Sequence, residues 1–79
     1  MMYRATLRGK AIVLIARGDC IEDAAQHVAN RLRGRSAIAR RTTGDRGLSG
    51  WFTVYRSDRR AGGLRKVGPA FHVMRTSKN

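Results

Sequence analysis

Acids, cysteine, proline and long apolar runs are all scarce in this 79-residue chain. Each shortage excludes something. Cys20 is the only cysteine, so no disulfide forms within the chain, and a reducing, cytoplasmic setting is expected. One cysteine and two scattered histidines, His27 and His72, lack metal-ligand spacing, so neither a metal nor another cofactor is expected. Cys20 opens a helix beside Arg17, which favours a thiolate. A nucleophile also needs a base within reach. His27, seven residues on, stands about 10.5 Å along a helix axis. The chain is therefore expected not to be an enzyme. The longest uninterrupted apolar run, Ala11 to Ala16, cannot cross a bilayer, which needs about 20 residues. Neither a membrane span nor a signal peptide is expected.

Only five acids face seventeen cations, giving a net charge of +12. The imbalance is uneven. Residues 1–30 carry four cations and three acids, net +1; residues 31–79 carry thirteen cations and two acids, net +11. Such an excess repels itself unless a polyanion meets it. Fourteen of the cations are arginine, whose rigid fork matches phosphate oxygens. DNA or RNA is the expected partner, and an acidic protein surface met by an inhibitor or accessory subunit is the alternative. A chain this short buries a marginal core, so a homodimer is expected to help it.

Hydrophobic patterning predicts one α+β domain: an amphipathic helix on a mostly antiparallel sheet of four or five strands, in the order β-β-α-β-β-β. Residues 2–8 alternate, with Tyr3, Ala5 and Leu7 on one face and Arg4, Thr6 and Arg8 on the other. Gly9 then marks a hairpin turn, with a bulge as the other reading. Residues 10–16 are apolar on both faces, which predicts a central strand. Asp19 and Glu22 have capping-box spacing. Ile21, Ala24, Ala25, Val28, Ala29 and Leu32 make a helical stripe over residues 20–33, while Gln26, His27, Asn30 and Arg31 face water. Gly34 supplies a left-handed stop.

Residues 36–43 are ambiguous. Thr42-Thr43 favours a strand and the alanines favour a short helix, and we expect the strand. The helical alternative, with Gly34 as the turn and Ser36 opening the second element, resembles a local helix-turn-helix over about twenty residues. Trp51 to Tyr55 is a strand, and a polar turn over residues 57–63 leads into a second arm that Gly68-Pro69 interrupts before Phe71. Residues 76–79 are expected to fray.

Three basic groups are candidate phosphate contacts. Arg31, Arg33 and Arg35 lie at the helix end. Arg40, Arg41 and Arg46 belong to the next strand and loop. Arg56, Arg59, Arg60, Arg65 and Lys66 surround the hairpin, a ribbon of the kind that enters a major groove. The glycine-rich loops at 44–47 and 60–63 lack the lysine-serine or lysine-threonine ending of a phosphate loop, although their amides can still meet a phosphate. Trp51 and Tyr55 share a face, so they can stack on bases or hold an interface. Gly50 to Tyr55 resembles the aromatic strand of RNA-recognition modules. Ser49, however, stands where those modules carry a base. Three glycines and a proline in 57–69 leave no second crossover helix, so no family is assigned.

Overall fold

The alternating segments pair as the sequence predicts. The structure is a computed structural model and describes residues 1–10, 13–43, 49–58, 60 and 62–76. Strands β1 (Met2–Leu7) and β2 (Val13–Arg17) form an antiparallel hairpin, with Tyr3 opposite Ala16 and Thr6 opposite Val13. Gly9, at φ 73°, lies in its turn, so the hairpin reading holds over the bulge. Helix α1 (Ile21–Arg33) follows, then β3 (Ile38–Thr43), β4 (Ser49–Asp58), β5 (Gly63–Lys66) and β6 (Phe71–Arg75). Residues 38–43 are a strand, so the helix-turn-helix alternative falls. The sheet runs β2-β1-β6-β4-β3, antiparallel throughout, and β5 pairs with the far half of β4.

The sixth strand arises from one interrupted arm. Val67 donates its N–H to the Val54 carbonyl, and Phe71 stands opposite Phe52. Residues 68–70 therefore face Thr53 alone. Pro69 has no N–H to give the ladder, so the arm bulges there and splits into β5 and β6.

One face of the sheet holds the core. Tyr3, Ala5, Leu7, Ala16, Phe52, Val54, Phe71 and Val73 are buried against Ile21, Ala24, Ala25, Val28 and Ala29. The alanines let the helix backbone lie close to the sheet, and Phe52 and Phe71 stack beneath it at 6.0 Å. Charges at the helix ends suit its dipole, with Glu22 and Asp23 first and Arg31 and Arg33 last. The start differs from the expected capping box. Cys20 is the N-cap and makes no side-chain cap bond; the Asp23 carboxylate instead accepts from the Asp19 N–H at 3.1 Å. Gly34 ends the helix at φ 91°, its N–H bonded to the Asn30 carbonyl.

Strand β2 is an edge, not the central strand its apolar run predicts. Val13 and Ile15 point away from the helix and are 50% and 43% exposed. The run is apolar on both faces, yet the single helix covers only one of them.

Helix side chains reach both ends of the β2-β1-β6-β4-β3 path. Ladder alternation leaves Ile15 and Arg17 with outward carbonyls on β2, and Ala37 and Ala39 with outward groups beside β4's partner strand β3. Arg31 Nη1 donates to Ile15 O at 2.8 Å, and His27 Nδ1 lies 2.7 Å from Arg17 O. On the other flank, Gln26 Nε2 donates to Ala37 O at 2.7 Å while Gln26 Oε1 accepts from Ala39 N–H at 3.2 Å. Asn30 Nδ2 donates to the Gly34 carbonyl at 3.0 Å. The polar helix positions thus do more than face water. Two pairs at i,i+4 spacing reach opposite edges and satisfy groups that would otherwise template another strand.

Candidate nucleic-acid interface

The face of the sheet away from α1 has no layer over it among the described residues. Alternation places Val13, Ile15 and Arg17 of β2 there, with Arg4 and Thr6 of β1, followed by Arg8. His72 and Met74 of β6, Trp51, Thr53 and Tyr55 of β4, Ile38 and Arg40 of β3, and Lys66 of β5 complete it.

Register sets the chemistry of this face. Thr6, His72 and Trp51 lie directly opposite one another across three strands. The Trp51 and His72 rings are 5.1 Å apart and tilted by 60°. The Arg8 guanidinium lies over the indole, 5.9 Å from its centroid, and the Arg8 N–H is anchored to the Ala70 carbonyl at 3.0 Å. Arg4 lies along Met74, with Nη2 3.4 Å from its sulfur. Arg40 stands opposite Thr53, and Tyr55 stands between Ile38 and Lys66.

No described acid shares this face. Asp19, Glu22 and Asp23 gather where α1 begins, and Asp58 ends β4 at the far tip of the hairpin. Among the described residues, Arg4, Arg8, Arg17, Arg40 and Lys66 therefore set its potential.

The arginines predicted from sequence divide between the two sides of the sheet. Arg40 and Lys66 join Trp51 and Tyr55 on the open face. Arg31 is spent on Ile15 O. Arg33 packs beside Gly68, and Arg35 is exposed in the turn after the helix. Arg56 donates to the Arg33 carbonyl and so caps the helix end. Arg65 lies 3.8 Å from Asp58, whose carboxylate also accepts the Arg60 N–H at 2.9 Å. Arg46, Arg59 and the 44–47 loop lie outside the described residues, as does Ala61 of the 60–63 loop.

Arg41 is on the helix side and serves structure. Its Nη2 meets Glu22 at 2.7 Å, its Nη1 donates to Ser49 O at 3.2 Å, and its guanidinium covers the Phe52 ring at 5.2 Å. Gly50 makes the room, since a Cβ there would come within 2.6 Å of Arg41 Nη1. The Arg41 hydrogen bond holds the Glu22 carboxyl below its ordinary value of 4.5. A lowered folded-state pKa contributes stability above pH 4.5, which is lost as pH falls through the folded value. Glu22 is 59% exposed, so the gain is under about 1 kcal/mol. Glu22→Gln is expected to remove that part of the acid-side loss, read as urea midpoints between about pH 7 and pH 3.

Arg4, Arg8 and His72 are the face residues that chain order conceals. Their alternation is readable, but only the insertion of β6 between β1 and β4 brings them to Trp51. Cys20 is exposed at the helix start, and no three His, Cys, Asp or Glu side chains gather among the described residues. No described helix is long and apolar enough to cross a membrane. The chain matches no protein-family model, and no curated protein is significantly similar to it.

Proposed function

We propose that this protein binds nucleic acid, without chemistry, on the open face of its sheet. The observation that carries the reading is the segregation of charge. Five cations share with two half-buried aromatic side chains a face that holds no described acid, while on the helix side Arg31, Arg41 and Arg56 are held in internal bonds. A phosphate backbone answers such a field, and the counterions it releases supply the free energy. Arg8 and Arg40 lie on opposite sides of Trp51, so a strand crossing the sheet meets a cation at each end of its path. Strands β1 to β3 span three steps of about 4.8 Å, or roughly 14 Å, which suits a few nucleotides.

The test is a salt titration of a labelled oligonucleotide between about 50 and 300 mM, read by anisotropy. Affinity is expected to fall linearly on a log–log plot. Arg8→Ala and Arg40→Ala are each expected to reduce the slope by about 0.7 to 0.9, and Arg35→Ala, in the turn after the helix, is expected to leave it unchanged. Absent or salt-independent micromolar binding by the folded chain overturns the reading and leaves the basic face to an acidic protein. A sedimentation run on the same sample reports whether a homodimer is the binding unit.

A further inference from the structure

We infer that the ligand is single-stranded, and that an unpaired base is held against Trp51 in the well bounded by Arg8 and His72; this rests on the nucleic-acid reading above. The open face carries a depression of about 750 Å³ lined by Thr6, Arg8, Gly9, Lys10, Trp51 and His72. A second depression of about 370 Å³ continues toward Thr42 and Ala70, and it shares Arg8 and Trp51 with the first. The Arg8–Trp51 pair is therefore a ridge with a hollow on each side.

Paired bases expose edges in the grooves but hide their ring faces in the stack. An indole lying on a sheet surface can use only a ring face that is free, which single strands offer. Arg8 sits 5.9 Å from the ring centroid, close enough for attraction but not packed. A base sliding onto the indole displaces the guanidinium toward the phosphate of the same nucleotide. Trp51 would then supply the stacking surface and Arg8 the charge. Tyr55 lies four residues along β4, about 13 Å away, with Lys66 opposite it, and offers a second platform.

The rival is the β4–β5 ribbon entering a duplex groove. Asp58 stands at the end of that ribbon, bonded to the Arg60 N–H and near Arg65. Asp58 engages Arg65, and Arg56 is spent on the Arg33 carbonyl, so the ribbon holds fewer cations in reserve for a phosphate. The open face has no such acid among the described residues.

Trp51 is the sole tryptophan, so its fluorescence reports directly on stacking. Titrate the intact chain with single-stranded DNA and RNA homopolymers, a duplex, and inorganic polyphosphate, which has the charge and no bases. Saturable quenching by a single strand and none by polyphosphate is the expected result, and the tighter of DNA and RNA names the sugar. Trp51→Leu is expected to weaken single-strand binding roughly tenfold to a hundredfold while leaving polyphosphate affinity unchanged. Trp51→Phe, which keeps an aromatic face, is expected to stay within a few-fold of the parent, and circular dichroism checks that both variants fold. Tighter duplex binding, or single-strand binding without quenching, overturns the stacked base but leaves the nucleic-acid reading standing. Failure of every oligonucleotide to bind removes both.

Discussion

Phe71→Ala is expected to leave little or no folded protein. Phe71 is fully buried on β6, the middle strand of the β2-β1-β6-β4-β3 path. It stands opposite Leu7 on one side and Phe52 on the other, so both halves of the core meet on its ring. Truncating a buried phenylalanine costs about 3–5 kcal/mol. Folded domains hold about 5–15 kcal/mol in total, and a chain this small belongs near the low end. Met74→Ala is the control. It lies on the same strand with its side chain on the open face, 38% exposed, and should cost less than about 1 kcal/mol. Urea unfolding followed by far-ultraviolet circular dichroism separates the two. A Phe71→Ala chain with a nearly unchanged midpoint would mean that the core lies elsewhere.

Gln26→Ala is expected to destabilise the chain by about 1–3 kcal/mol and to promote self-association. Alanine is the better helix former, which offsets the lost i,i+4 bond from Gln26 to Asn30, so most of the loss comes from the sheet edge. The substitution removes the side-chain partner of the Ala39 N–H and the shorter of two bonds to Ala37 O, leaving Asn30 Nδ2 at 3.5 Å. Water restores part of the loss, but the edge at β3 then offers a second chain the free Ala39 N–H and a weakly held Ala37 carbonyl. Sedimentation across a concentration series should show heavier species than the parent at equal concentration. Unchanged mass and stability would show that the Gln26 bonds do not guard the edge. The result also bears on function, because an intact dimer built edge to edge would have to break these same bonds.

Much of this fold is legible in the chain. Period-two alternation marks β1, aromatic and β-branched density marks β4, and the alanine-rich stripe marks α1 and its buried face. Residues 36–43 are more evenly balanced in the sequence. Thr42-Thr43 and the lone apolar anchor Ile38 weigh against a helix, and the pairing of Ile38 with Tyr55 settles it. The apolar β2 run misleads, because burial on both faces is inferred from residue type. Whether a second layer exists is a property of the whole fold. The expected capping box does not form for a related reason: Glu22 has the right spacing, but Arg41, nineteen residues away, holds its carboxylate.

Composition determines the sign of the charge, and local spacing determines α1 with its buried stripe and the alternating faces of β1, since these depend on neighbours within a few residues. Tertiary structure alone decides which cations remain for a ligand. Arg31, Arg41 and Arg56 look like phosphate contacts in the chain, yet folding spends them on Ile15 O, Glu22 and Arg33 O. Arg8 looks unremarkable, yet strand order sets it beside Trp51, forty-three positions on, because β6 returns from the end of the chain to lie between them.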